Sequence, residues 1–213
     1  MTNLTLPEEF MLIALDDDSG RGKTRPGTDY AVAGMALVEL SLSGRVEVGD
    51  DEVVRVVDKT PMGNSFLDGQ LSKIAADGGT AELKDVLKHT RKGVVEGTVN
   101  SLVSQGVLKQ EKKRVLGLVP VNRYPKGQDG PELAVRKRLD EVVLQGQDPD
   151  ERTASLIAVL HGARLWKLAF PDADRKQVKK RMEEISEGSW IKPAVAYTVK
   201  RTRIAIAAAA AGG

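Results

Sequence analysis

The sequence predicts a mainly α-helical protein: a central apolar helical bundle ringed by amphipathic helices, with short β-hairpins in winged-helix-like units. Three observations lead there. Aromatic residues are only 4% of a 213-residue chain that is 41% hydrophobic, so the core is built of Leu, Val, Ile and Ala, which suits packed helices. Apolar residues recur at helical spacing in most long segments. A helix-plus-hairpin unit is written twice, over Gly34–Thr60 and Thr98–Tyr124, each an apolar helix, a glycine stop, a strand, a charged turn and a second strand. No Pro/Gly/Ser-rich linker divides the chain, so residues 1–213 read as a single domain with one sizeable core.

Each element follows from local signals. Leu6–Leu15 is a helix with Pro7 at its start and Glu8 and Glu9 in its first turn, where acids complement the helix dipole. Asp16–Gly27 is a polar loop, and Thr28 or Asp29 caps the next helix, which runs to about Leu42. That helix is apolar nearly all round, through Tyr30, Val32, Met35, Leu37, Val38 and Leu40, and is expected at the centre. Glu39 is its one charge in the middle, either a satisfied buried carboxylate or a loop-facing one. Gly44 stops it. Arg45–Val48 and Val53–Val57 form a hairpin around Gly49–Asp51. Ser65–Ala76 is amphipathic, and Thr80–His89 and Arg91–Gln105 are further helices, the last interrupted by Gly93 and Gly97. Val107–Lys109 and Val115–Val119 form the second hairpin, with Glu111–Arg114 as its charged turn, and Pro120 to Pro131 is a surface crossing. Glu132–Gln145, Glu151–Ala169, Asp174–Glu187 and Pro193–Ala211 complete the helices, Glu151–Ala169 being strongly apolar.

Charge and composition bound the function. The net charge of +2 names no partner, but basic residues are clustered. Lys84–Arg114 holds eight Lys/Arg against three Asp/Glu, and Arg175–Arg181 holds five against none. Such surfaces attract phosphates. With no cysteine, disulfides, thiolate metal sites and cysteine nucleophiles are excluded. Met1–Pro7 lacks the pattern of a signal peptide and no apolar run is long enough to span a bilayer, so a cytoplasmic location is expected. Heavy use of Ala, Gly, Val, Arg and Asp points to a GC-rich bacterial source.

Catalytic and cofactor motifs fail on inspection, and neither cofactor nor metal is expected. Gly22-Lys23-Thr24 resembles the end of a phosphate-binding loop, but the required first glycine is Asp17 and Pro26 follows where a helix should begin. Asp16, Asp18 and Gly20 lack the spacing of a calcium loop, whose twelfth position falls on Gly27. The two histidines, His89 and His161, are far apart, and His161 in SLIAVLHGARLW reads as a core residue. No nucleophile elbow is present, so an enzyme is not expected. A tandem winged-helix protein that binds nucleic acid is the alternative. It is disfavoured because Tyr30–Leu42 has no Lys or Arg and the helix before the second hairpin has only Arg91 and Lys92 at its start.

Five segments in order, MLIALDDDSG, GMALVELSLSGRVEV, VVDKTPMGNSFLDGQL, SLVSQGVLKQEKKRVLGL and DERTASLIAVLHGARLWKLAF, resemble the Golgi phosphoprotein 3 family from about Leu6 to Ala208. The resemblance implies a mostly helical domain and a non-catalytic adaptor that binds phosphatidylinositol 4-phosphate or other anionic phospholipid at the membrane surface. It also implies recognition of protein tails, and self-association through the hairpin around Lys109–Val119. The family's lipid site has a tryptophan in the loop matched by Lys23–Asp29, which has none here. It has an arginine where this chain has Ala33, and two basic residues that match Lys92 and Val95. With Lys92 alone retained, Arg91, Lys88 and Arg25 are the candidates to complete an anion-binding surface.

Overall fold

The computed structural model describes residues 4–15, 25–76, 78–109, 111–115, 119–123, 129–188 and 192–211. Ten helices and five strands are formed among them: α1 (Leu6–Ala14), α2 (Thr28–Leu42), β1 (Val46–Val48), β2 (Val53–Val56), α3 (Ser65–Ala76), β3 (Thr80–Glu82), α4 (Leu83–Thr90), α5 (Val94–Ser104), β4 (Glu111–Val115), β5 (Val119–Arg123), α6 (Asp129–Val143), α7 (Glu151–Gly162), α8 (Trp166–Ala169), α9 (Arg175–Ser186) and α10 (Pro193–Ala211). The architecture is mainly helical, as expected. A contiguous core draws on every helix from α1 to α10 and on Val46 and Val54 of the first hairpin.

α2 is the axis. Its apolar circumference is buried from Ala31 through Val38 and at Leu40, and it packs against α1, α5, α7 and α10. α7 is buried likewise from Thr153 to Leu160. The approach of α10 to α2 depends on Gly34: a β-carbon there would lie 2.1–2.7 Å from the Thr198 side chain. Gly162 of α7 meets Val199 of α10 in the same manner, with 3.0 Å from a β-carbon to Cγ1.

The bundle is locked by buried charges that local sequence signals do not reveal. Glu8, expected only to complement the dipole of α1, is fully buried. Its Oε2 accepts from Thr5 N at 2.7 Å, the glutamate half of a capping box. Its Oε1 accepts from Ser101 Oγ and Gln105 Nε2, both at 2.7 Å. Glu9 accepts from Arg138 of α6 at 2.5 Å and from Arg152 of α7 at 3.4 Å. Glu39 is a satisfied carboxylate: it accepts from Leu6 N at 2.6 Å and from Arg152 Nη1 at 2.8 and 2.9 Å. Arg152 Nη2 also donates to Leu4 O at 2.7 Å.

Several boundaries differ from expectation, each for a physical reason. Thr80–Glu82 is not helical but pairs antiparallel with β2, Val54 opposite Ala81, making a three-stranded sheet in the order β1-β2-β3. Left-handed Gly78 and Gly79 turn the chain onto that edge, where Val56 N donates to Gly79 O at 2.7 Å. The two helix-plus-hairpin units are therefore not equivalent, since the second hairpin stands apart as β4-β5.

In that hairpin the strands are displaced from the expected positions. Glu111–Arg114 is strand rather than turn, and β5 carries Pro120 within it. Val107 and Leu108 are held back by the core: both are buried and both backbone N–H groups donate to Leu102 O. The expected single helix Glu151–Ala169 is broken at Arg164, which adopts φ 58°, while Leu165 N donates to Leu160 O at 2.9 Å and Leu165 turns inward. The loop expected at Asp16–Gly27 lies outside the described residues over 16–24, as does the surface crossing over 124–128.

Gly34→Ala is expected to cost about 2 kcal/mol of stability by overpacking the α2–α10 contact. Adding Thr198→Ala should recover most of that loss in urea titrations, whereas purely additive penalties would locate the effect elsewhere. Arg152→Leu leaves Glu39 and Glu9 without their shared cation and is expected to cost about 3 kcal/mol in the same assay. Arg152→Lys should restore only part of it, because one ammonium cannot reproduce the planar fork.

Candidate functional site

Of the sequence-predicted cations, Arg91 is held by contacts to the N-terminus of α2, where Arg201 from the middle of α10 also approaches. α2 is capped by Gly27, not by Thr28 or Asp29. Gly27 has φ 84°, and a β-carbon on it would stand 3.0 Å from Thr202 O and 3.3 Å from Ile206 Cγ1. The glycine therefore serves twice, taking a left-handed conformation and letting the turn lie flat on α10. Arg25 is exposed on this turn, and its carbonyl accepts from Thr28 N.

Freed from capping, Asp29 reaches α4. Arg91, the C-cap residue of α4, donates from Nη1 to Asp29 Oδ2 at 2.5 Å, and that bond raises its pKa above the ordinary arginine value. The Arg91 guanidinium carbon lies 4.7 Å from the centroid of the Tyr30 ring. Arg201 of α10 lies 5.4 Å from the same centroid. Tyr30 thus carries two guanidinium groups from different helices, a cation–π arrangement that orients both. Asp29 neutralises one of them. Arg201 makes no ion pair among the described residues.

Lys88 lies in the last turn of α4, Arg91 is its C-cap, and Lys92 follows in the turn before Gly93. Lys88 and Lys92 are exposed, and Arg91 is half-buried. Gly93, at φ 70°, caps α5 and separates it from α4, so the expected continuous helix Arg91–Gln105 is interrupted there. Gly97 marks a close helix contact, its β-carbon position lying 3.0 Å from Phe66. At the two positions where the resemblance calls for further basic groups, the chain packs apolar residues instead: Ala33 is buried and Val95 rests against the core.

Sequence reasoning missed Arg201, Asp29 and Tyr30. Local pattern puts Tyr30 on the apolar face and Asp29 at a cap. The available signal for α10 was Lys200-Arg201-Thr202-Arg203 on a helix with no acidic residue.

Other features of the chain carry less chemistry. The Gly22-Lys23-Thr24 and Asp16–Asp18 segments lie outside the described residues. Among the described residues, no group of three or more His, Asp or Glu is placed to hold a metal. A cleft of about 550 Å3 between α6 and the α8–α9 turn is lined by Arg136, Asp140, Leu144, Phe170, Pro171 and Asp172 among others. Arg136 is already engaged with Glu132 and with the Leu168 and Ala169 carbonyls. Burial pushes the Asp140 pKa up, against the pull of Arg136. Among the described residues that line the cleft there is no hydroxyl, amine or imidazole.

His161 is half-buried, 6.4 Å from the Trp166 ring, and its Nδ1 is buried without a hydrogen-bond partner. It faces Arg203, Lys179 and Glu183, and Lys179 Nζ sits 4.1 Å over Trp166. α2, the helix before the first hairpin, is buried along most of its length and has no face free to enter a nucleic-acid groove. No described helix is long and apolar enough to cross a membrane.

These features define a mainly helical protein with a cation-lined surface at the junction of three helices. Residues 6–202 match the model of the Golgi phosphoprotein 3 (GPP34) family, and the chain belongs to that family. Among curated proteins it is similar to vacuolar protein sorting-associated protein 74 of Eremothecium gossypii, 27% identical over 208 residues, covering 80% of this chain. The chain spans 62% of that relative's length.

Desolvation, aided by Arg203 and Lys179 and opposed by Glu183, lowers the pKa of His161. An unfolded imidazole titrates near pH ~6.5, so the unfolded state binds this proton first as pH falls. The contribution of His161 to stability is therefore present above that pH and is lost as pH drops towards the folded pKa. His161→Phe is expected to flatten the dependence of the thermal midpoint between about pH 7.5 and 5. An unchanged slope would remove His161 as its source.

Proposed function

We propose that this chain is a non-catalytic, adaptor-type module that binds the surface of membranes by recognising anionic phospholipid, phosphatidylinositol 4-phosphate being the candidate head group. The observation that carries this reading is Tyr30 flanked by Arg91 and Arg201, with Asp29 pairing only Arg91. Arg25, Lys88 and Lys92 extend the positive surface around it. Guanidinium groups already oriented by a ring lose little freedom on binding a phosphate, and their planar donors match its oxygens. Exposed lysines nearby add attraction to a negative surface of about 1 kcal/mol each. Family membership supports the reading, because the resemblance implies a lipid-binding adaptor.

Arg201 takes the place of basic groups that the family pattern puts elsewhere. With Ala33 and Val95 packed inward, the site regains a second guanidinium from α10. The site is read as part of one domain, located in the cytoplasm and peripheral at the membrane. Protein tails are proposed as further ligands, and the β4-β5 hairpin, within the segment Lys109–Val119 and just beyond, as a surface for self-association.

The test is co-sedimentation with neutral vesicles, vesicles of generic anionic lipid, and vesicles carrying phosphatidylinositol 4-phosphate, at low and moderate salt. Lys88→Glu with Lys92→Glu alters exposed side chains only and is expected to weaken binding more than tenfold. Arg201→Gln is expected to reduce the preference for the phosphomonoester lipid over generic anionic lipid. Binding that is indifferent to all three substitutions, or no binding to any anionic vesicle, would overturn the reading.

A further inference from the structure

α10 carries Lys200, Arg201 and Arg203 and not one acidic residue over its 19 positions. Its buried face is formed by Ala194, Val195, Thr198 and Thr202. On the opposite side Lys200, Ile204, Ala207 and Ala208 are exposed, Ile204 to 49%. Arg201, Ile204 and Ala208 are spaced three and four apart, so they form one stripe. The top of that stripe is the guanidinium that faces Tyr30. The apolar residues of the stripe therefore begin one turn beyond the cation site.

Single exposed apolar side chains are ordinary, and Val57, Leu133 and Leu144 are also exposed. What separates Ile204 is its setting. Leu144 borders Asp140 and Asp172, which a negative surface would repel. Ile204 lies one turn beyond Lys200 and Arg201 on a helix whose only formal charges are positive.

Resting on the lipid-binding reading above, we infer that the stripe Arg201–Ile204–Ala208 of α10 enters the interface of an anionic bilayer. Arg201 and Lys200 stay at the level of the phosphates, and Ile204 and Ala208 pass below them into the boundary of the acyl chains. The residues of an interfacial helix reach about 5–10 Å into that boundary, enough for an isoleucine side chain held beneath an arginine. The device adds apolar partitioning to phosphate recognition, and it makes binding depend on the bilayer as well as on the head group.

Because the chain has no cysteine, Ile204→Cys supplies a unique attachment point for an environment-sensitive nitrobenzoxadiazole probe. Leu144→Cys, an exposed apolar position in the α6 region, is the control. With vesicles of phosphatidylcholine and phosphatidylserine, with and without phosphatidylinositol 4-phosphate, the probe at position 204 should brighten severalfold and shift to the blue. Nitroxide placed high on the acyl chain should quench it more than nitroxide placed deep. The probe at position 144 should not change. Ile204→Asp, at a half-exposed site, should leave the melting temperature nearly unchanged and weaken vesicle binding about tenfold. Sedimentation with vesicles while the probe at 204 stays water-exposed, or full binding by Ile204→Asp, would overturn insertion alone. Failure to sediment with any vesicle would overturn both insertion and the lipid-binding reading.

Discussion

The structure depends on one buried ionic assembly: Glu8 and Glu9 of α1, Glu39 of α2, Arg138 of α6 and Arg152 of α7. Buried charges are costly unless paired and hydrogen-bonded, and here every carboxylate oxygen of the three glutamates has a donor. Apolar contacts alone would let α1 slide along α2, since Leu, Met and Ala faces fit in several registers. The donors to Glu8, Glu9 and Glu39 come from Thr5, Leu6, Ser101, Gln105, Arg138 and Arg152, so the network specifies one register among five helices. Specification of a unique packing, more than net stability, is the property such a network supplies.

Fixing α2 has a consequence at its other end. With Glu39 anchored and Gly34 pressed against Thr198, the first turn of α2 is placed where α4 and α10 converge. Asp29 then draws in Arg91, and Tyr30 receives guanidinium groups from both neighbours. The cation surface is therefore assembled from chain segments more than a hundred residues apart, on the outside of a bundle set by its interior. Gly27 contributes at the boundary between the two, because any side chain there would push the turn away from α10.

Much of the helical plan is legible from periodicity and punctuation. Ser65–Ala76 and Pro193–Ala211 form as read, and the first hairpin forms around its charged turn. The errors fall where a long-range partner outweighs a local preference. Thr80–Glu82 has a helical continuation in sequence but finds the free edge of β2. Val107 and Leu108 have strand propensity, yet the Leu102 carbonyl and the core retain them, and the hairpin forms farther on. Arg164 takes a left-handed conformation that favours glycine, because doing so turns Leu165 into the core.

The sequence by itself determined the helical class and the central place of α2 and α7, and it offered Lys88, Arg91 and Lys92 as neighbouring cations. Each of these is written in composition, in a 3.6-residue period or in neighbouring positions on one helix end. Only the tertiary structure decided that Glu8 and Glu9 are interior anchors, that Asp29 pairs with Arg91, and that Arg201 comes over the same Tyr30 ring as Arg91. Local pattern records which face of a helix is apolar. It does not record which helix that face will meet, and an ion pair or a cation over a ring exists only once two such faces are brought within a few ångströms.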